Sequence, residues 1–151
     1  MALRISLGPP AGQLKWRCYA TPPPHVNHSN LPVERYHALS NATMDTLWES
    51  LEALLDVEGN PNYEVEYSSG VLTLKLGEYG TYVINKQPPN KQIWLSSPMS
   101  GPKRYDYSEE NDDWFYSRDG VALSDLLNSE VSQIVGRQVE LGVKNVSKRV
   151  N

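Results

Sequence analysis

Four acidic side chains recur at positions 45, 49, 52 and 56 of a predicted helix. At about 100° per residue, this spacing keeps them within roughly 60° of one another on one face. Like charges so close repel by a few tenths of a kcal/mol per pair. Such a face offers hard oxygen ligands for a metal cation or docks a basic partner, although most charge runs are only solvated faces. With two acids on the next segment they form what we call the acidic ridge: Asp45, Glu49, Glu52, Asp56, Glu64 and Glu66.

A second candidate set lies in residues 80–106, GTYVINKQPPNKQIWLSSPMSGPKRYD. If Ile93 and Leu95 point into a core, strand alternation places Gln92, Trp94 and Ser96 on the outside. A tryptophan among amides and cations has the composition of a protein interface, since Trp and Arg dominate binding hot spots. The alternative is a tryptophan half-buried against its neighbours. We call the set the tryptophan surface: Asn85, Gln87, Asn90, Lys91, Gln92, Trp94 and Arg104.

Two further features could bind a cation. His37 is the only histidine of the predicted domain and stands near the start of the acidic helix, although a lone surface histidine usually has no such role. A predicted hairpin loop is crowded with acids, which we interpret chiefly as a solubilising loop, with a second, weak cation site as the alternative. Its acids are Glu109, Glu110, Asp112 and Asp113.

The acidic face needs a helix to position it, and one is predicted over residues 33–56. Pro32 suits the start of this helix and Gly59 its end. Apolar residues at helical spacing give it a stripe that would face a core. The stripe consists of Met44, Leu47, Leu51, Leu54 and Leu55.

Six strand-like segments follow, separated by Gly, Pro, Asn and Asp turn signals. The connections are too short for crossover helices, so the sheet is predicted to be an antiparallel meander. The segments are YEVEY (63–67), VLTLKL (71–76), TYVIN (81–85), QIWL (92–95), RYDY (104–107) and WFYS (114–117).

A second helix is predicted to begin near Ser124 as N-cap, with Asp125 in its first turn. The order helix, strands, helix predicts an α+β two-layer sandwich in which both helices cover one face of an antiparallel sheet. A tail over residues 139–151 either tucks between the helices or frays. The apolar residues of this helix and tail are Leu126, Leu127, Val131, Ile134, Val135, Val139, Leu141, Val143 and Val146.

Composition narrows the class of protein. The 151 residues suit one domain with one core, and no apolar run approaches the roughly 20 residues that span a bilayer. Residues 34–84 carry nine acids against two cations, so this half should repel nucleic acid and anionic membrane and attract metal cations or a basic protein. The single cysteine, Cys18, precedes the predicted domain, which excludes disulfide frameworks, cysteine–zinc sites and thiol catalysis from that domain.

The N-terminal segment has the composition of a targeting signal. Residues 1–33 contain three cations and no acid, as mitochondrial transit peptides do, although a disordered basic tail would look similar. We interpret residues 1–19 as a transit peptide, trimmed near Tyr19 or Ala20, and residues 20–32 as a linker stiffened by proline. The folded domain is then residues 33–151.

Residues 80–106 closely resemble the signature of the frataxin family, small mitochondrial proteins of iron–sulfur cluster assembly, and the resemblance extends more loosely over residues 31–139. It implies the helix–sheet–helix sandwich and a place in the mitochondrial matrix. It assigns iron to the acidic ridge and, in some relatives, to the position of His37. It also implies that the tryptophan surface contacts the iron–sulfur scaffold protein within the cysteine desulfurase complex. Ser40, Asn41 and Ala42 stand where relatives often carry acids, which implies a reduced capacity for iron.

Two functions follow from the resemblance. One is a non-catalytic regulator that docks on the desulfurase–scaffold complex and speeds sulfur transfer. The other is an iron chaperone or weak ferroxidase that delivers weakly bound Fe²⁺ or Fe³⁺ for cluster and haem synthesis, with ferrochelatase as a further partner. A generic adaptor that shares only the fold is a third interpretation. The match at non-core positions argues against the adaptor and favours the effector.

Overall fold

In the computed structural model, which describes residues 30–150, helix α1 spans Val33–Glu58, two residues longer than predicted. Pro32 is its N-cap, and Gly59 ends it with a φ of 63° that lets its N–H bond the carbonyl of Leu55. The predicted apolar stripe is confirmed, because its residues are buried except for the half-buried Leu55. The predicted transit peptide and residues 20–29 of the linker lie outside the described residues.

Six strands follow α1, and each is antiparallel to the one before it in the order β1-β2-β3-β4-β5-β6, which confirms the predicted meander. The strands are β1 Tyr63–Ser68, β2 Val71–Leu76, β3 Thr81–Gln87, β4 Gln92–Ser97, β5 Gly101–Ser108 and β6 Asp113–Tyr116.

Helix α2 spans Leu123–Val135, with Asp125 in its first turn as predicted. The prediction of Ser124 as N-cap is wrong, because Ala122 holds that position. The Ser124 hydroxyl is buried and donates to the carboxylate of Asp113 at 2.5 Å, so it is engaged across the fold.

Both helices pack on one face of the sheet, as the predicted sandwich requires. The strand residues beneath them alternate with residues of the opposite face. Within residues 30–150, no helix combines the length and apolarity needed to cross a bilayer. The core joins strand residues Leu72, Leu74, Ile84, Ile93, Leu95 and Tyr105 to helix residues Leu39, Leu47, Leu127 and Val131.

The C-terminal tail tucks into the core and does not fray over its described part. Ser50 of α1 donates to the carbonyl of Leu141 at 2.7 Å, and the N–H of Leu141 donates to Asn128 of α2 at 2.9 Å. The tail is therefore held from both helices. Its buried residues are Val139, Leu141, Val143 and Val146.

The acidic loop between β5 and β6, interpreted from the sequence as solubilising, exposes Glu109 and Glu110 and also helps to hold the fold together. Asp112 accepts hydrogen bonds from the hydroxyls of Tyr107 and Ser147, each at 2.5 Å, and Glu109 pairs with Arg35 of α1 at 3.0 Å. Burial alone would raise the pKa of Asp112, but the bonds from Ser147 and Tyr107 lower it below its ordinary value. Protein donors engage these oxygens, so they are not open to a cation.

Replacing Asp113 with asparagine is expected to stabilise the fold at neutral pH. The carboxyl is 1% exposed, and burial raises its pKa despite bonds from Ser124 and the N–H of Trp114. A raised pKa means that the ionised group costs stability above that pKa, and the cost is relieved as the pH falls towards the unfolded value of about 3.9. Urea unfolding near pH 7 should therefore show a gain that fades as the pH falls towards the unfolded pKa of about 3.9. A loss near pH 7 would show that the carboxylate's hydrogen bonds outweigh its burial.

Candidate functional site

The tryptophan surface lies on the sheet face opposite the helices. Ile93 and Leu95 are buried under the helices, so strand alternation places Trp94 on the other face, as predicted. The register aligns Asn85 of β3 with Trp94 of β4, and Trp94 with Arg104 of β5. Three predicted residues thus form one row across three adjacent strands.

A second row runs beside the first. It aligns Gln87 with Gln92 and Gln92 with Asp106, while Asn90 and Lys91 lie in the connector between β3 and β4. The structure therefore brings all seven predicted residues together on one face and its adjoining connector. Six of them are half-buried, and Gln92 is buried.

The expectation that Gln92 is exposed is wrong, since only 2% of it is accessible. It lies on the outer face but is enclosed by its neighbours. Its Nε2 donates to Asp106 Oδ1 at 3.1 Å, and its Oε1 accepts from Trp94 Nε1 at 2.8 Å. The indole is consequently held by a buried amide. Asp106 carried no sequence signal, because only the strand register shows that it faces Gln92.

Amide contacts also order the Asn85 side chain. Its Nδ2 donates to the carbonyl of Lys86 at 3.1 Å and lies 3.4 Å from Gln87 Oε1. Side chains already held in one geometry lose less conformational entropy on binding. The side chains of the tryptophan surface are therefore held in one geometry by their own hydrogen bonds.

The acidic ridge divides between two faces. Asp45, Glu49, Glu52 and Asp56 are exposed on α1 as predicted. On the edge strand β1, the exposed Glu64 and Glu66 alternate with half-buried residues that face α1, so they lie on the opposite side of the sheet. Among residues 30–150, no group of three or more His, Cys, Asp or Glu side chains is placed to hold a metal ion. The ridge thus presents negative charge without a preformed cage.

His37 stands beside a cation in this fold. The Lys86 ammonium donates to Asn41 Oδ1 at 2.6 Å and lies 3.4 Å from His37 Nδ1. Burial lowers the pKa of Lys86, and the charge of Asp45 opposes that shift. A metal ion bound through His37 Nδ1 would have to displace this ammonium. No sequence pattern indicated this pairing, because 49 residues separate the two side chains.

Comparisons with known proteins show which family the chain resembles in sequence and fold. A family model for the frataxin-like domain matches residues 29–137. The mitochondrial frataxin homolog of Schizosaccharomyces pombe is 50% identical to this protein over 70% of the chain. The homolog of Saccharomyces cerevisiae is 47% identical over 72% of the chain. The matched regions span 66% and 61% of those relatives' own lengths. The mitochondrial frataxin of Caenorhabditis elegans is 46% identical over 66% of the chain and 74% of its own length.

Solved structures show the same fold. A yeast frataxin aligns with a TM-score of 0.61 at 44% identity, over 75% of this chain and 93% of its own. A trimeric frataxin from Saccharomyces cerevisiae, described as complexed with ferrous iron, aligns with a TM-score of 0.58 at 40% identity, over 76% of this chain and 93% of its own.

Proposed function

The chain belongs to the frataxin family, and from that premise we propose that it is an iron-binding regulator of iron–sulfur cluster assembly. Its relatives are mitochondrial, and so is this protein. In the proposal it docks on the complex of cysteine desulfurase and scaffold protein, where it promotes sulfur transfer and cluster formation.

The observation that carries this proposal is the preorganised tryptophan surface. Aromatic and arginine side chains supply most of the binding energy at protein interfaces. Here Trp94 lies between Asn85 and Arg104 in one row, and Gln92 fixes its indole. A surface of this composition supports docking on a protein. Once bound, Trp94 would reposition the scaffold's cysteine-bearing metal site to receive sulfur.

The acidic ridge supports the iron-binding part. Its carboxylates are hard oxygen donors, and one relative is described as complexed with ferrous iron. Exposed carboxylates with no enclosing cage favour weak, exchangeable binding. The same charge would attract a basic surface of the desulfurase and speed the encounter. Iron is therefore a cargo or effector in this proposal.

An iron chaperone or ferroxidase is the second candidate, favoured by the iron-complexed relative. Anionic oxygen ligands stabilise ferric over ferrous iron, because the higher charge gains more from them. Iron would then be passed to cluster or haem synthesis, with ferrochelatase as a receiver. The two candidates assign the essential step to different surfaces.

The test is a reconstituted assembly assay in which cysteine desulfurase and scaffold protein are supplied with cysteine, iron and a thiol reductant, with and without this protein. The proposal expects faster transfer of persulfide sulfur to the scaffold, and faster cluster formation once the reductant has converted that sulfur to sulfide, when the protein is added. An unchanged rate would contradict it, and oxidation of Fe²⁺ under the same conditions would favour the second candidate.

Neutralising three ridge acids as Asp45→Asn, Glu49→Gln and Glu52→Gln is expected to weaken iron binding, since each change removes an anionic ligand. It should also raise the free energy of unfolding by a few tenths of a kcal/mol for each like-charge pair relieved. Iron titration followed by calorimetry, together with urea unfolding, measures both effects.

The control is a second triple variant, Glu78→Gln, Glu110→Gln and Asp119→Asn. These acids are exposed away from the ridge, so the control makes the same change in net charge. It should retain iron binding. Equal losses in the two triple variants would mean that net charge, and not the ridge, governs iron affinity.

A further inference from the structure

A single hydroxyl from α1 reaches through the core to the tryptophan surface. Tyr36 is 1% exposed, and its Oη donates to the carbonyl of Gln92 at 2.8 Å. The same oxygen accepts from the N–H of Gln87 at 3.0 Å. Gln87 and Gln92 are the register pair nearest the connector between β3 and β4. The hydroxyl therefore joins the two strands where they enter the connector.

The connector between β3 and β4 is a tight turn over Pro88–Asn90. Pro88 and Pro89 lack N–H donors, and Lys91 adopts a left-handed conformation with φ of 53° while its N–H bonds the carbonyl of Pro88 at 3.0 Å. The pairing of Gln87 with Gln92 joins the connector to the sheet. The bonds from Tyr36 add an attachment from α1 at the same point.

Packing within α1 and the core fixes the position of the Tyr36 ring. The ring meets the buried Trp114 edge-on at 6.1 Å and His37 at 5.3 Å, and Trp114 is itself bonded to Thr43 of α1 at 2.9 Å. Burial raises the pKa of Tyr36 to about 12, so the hydroxyl keeps its proton at physiological pH. A rigid donor is thus held beneath Gln92.

The contact continues from Gln92 to the tryptophan. The backbone carbonyl of Gln92 accepts a hydrogen bond from the Tyr36 hydroxyl, and the side-chain Oε1 of Gln92 accepts one from the indole N–H of Trp94 at 2.8 Å. The Gln92 amide also donates to Asp106, which limits its rotation. An unbroken series of contacts therefore runs from α1 through Gln92 to the exposed face.

We propose that Tyr36 is a positioning residue for partner docking, which sets the β3–β4 connector and, through Gln92, the orientation of the Trp94 indole. This role rests on the proposed function, because it concerns how the tryptophan surface meets the desulfurase–scaffold complex. It places one determinant of docking on the opposite side of the sheet, in a residue that the partner does not touch.

The test compares Tyr36→Phe with Tyr82→Phe. Each change keeps the ring and deletes one buried hydroxyl, and that of Tyr82 donates to Glu130 at 2.8 Å, away from the connector. Losing its positioning bonds should weaken binding of the Tyr36 variant to the reconstituted complex roughly three- to tenfold. Tyr82→Phe should bind as the native protein does. The indole N–H resonance of Trp94, identified by its absence from Trp94→Ala, should shift only in the Tyr36 variant.

The outcomes separate the positioning role from the function on which it rests. Equal affinities for the Tyr36 and Tyr82 variants would overturn the positioning role, and so would an indole resonance that stays in place in Tyr36→Phe. If Trp94→Ala itself binds the complex normally, the proposed function fails. The structural link from Tyr36 to Trp94 is then still judged by the indole resonance alone.

Discussion

Replacing Trp94 with alanine is expected to abolish stimulation of cluster assembly while leaving iron binding unchanged. Trp94 lies on the face opposite the core, half-buried beside Asn85 and Arg104, whereas the helix acids of the ridge lie on α1. The side chain can therefore be removed without touching the helix carboxylates. The reconstituted assay and an iron titration report the two properties separately.

The expected loss is large. Truncation of a central hot-spot residue costs about 2–4 kcal/mol, which weakens binding roughly 30- to 700-fold. For a native Kd of about 1 μM, that change removes most of the complex at micromolar concentrations of the partners. The fold should survive, because Trp94 contributes its indole bond to Gln92 but is not part of the buried core.

Tyr79→Ala is the matched control for Trp94→Ala. Tyr79 is an aromatic residue that is 50% exposed in the turn between β2 and β3. Tyr79→Ala removes an exposed aromatic side chain and leaves the tryptophan surface unchanged, so stimulation should persist. Stimulation that survives in Trp94→Ala would deprive the docking proposal of its central residue. Loss in both variants would indicate a requirement for aromatic surface in general.

Ending the chain after Gln138 is expected to leave it largely unfolded at physiological temperature. The tail buries four aliphatic side chains, and burial of each is worth about 1.5–3 kcal/mol. Together they approach the roughly 5–15 kcal/mol by which a whole domain is stable. The tail also supplies Ser147 to Asp112 and Leu141 to Ser50 and Asn128, and those bonds would be lost as well. Thermal unfolding followed by circular dichroism measures the effect.

A full-length variant with Lys144→Ala and Lys148→Ala serves as the control. Both lysines are exposed in the tail, so this variant changes its charge without altering its buried residues. It should melt close to the native protein. A truncated chain that also melts within a few degrees of the native protein would show that the layer between the helices can close without the tail.

Much of the fold followed from periodicity and turn signals. The leucine stripe of α1 followed helical spacing, and six short segments had the composition of strands. The connections between those segments were too short for crossover helices, so only a meander was possible. The N-cap of α2 could not be predicted in this way. Local sequence favoured Ser124, but its hydroxyl is engaged by Asp113, eleven residues away. Such pairings depend on how distant elements meet, and a local pattern holds no information about that.

At the candidate site, too, local patterns predicted which face a residue occupies but not its contacts with residues distant in the sequence. Alternation along β4 placed Trp94 on the outer face, but it could not show that Asp106 and Trp94 enclose Gln92. Similarly, helical spacing placed the acids of α1 on one face, but only the fold brings Lys86 to His37. Tyr36 was missed altogether, since a tyrosine near a helix start looks like an ordinary core residue until its hydroxyl is seen between two strands.

The antiparallel meander and its C-terminal tail set an order of assembly. Every strand pairs with the one before it, so the sheet can form from contacts of short sequence separation, which close quickly. The bond between Ser50 and Leu141 joins residues 91 positions apart and can form only after the tail arrives. A chain entering the mitochondrion from its N-terminus would therefore pair its strands early and seal the space between its helices last. Until that step its apolar layer stays open, and exposed apolar surface of this kind is prone to aggregate.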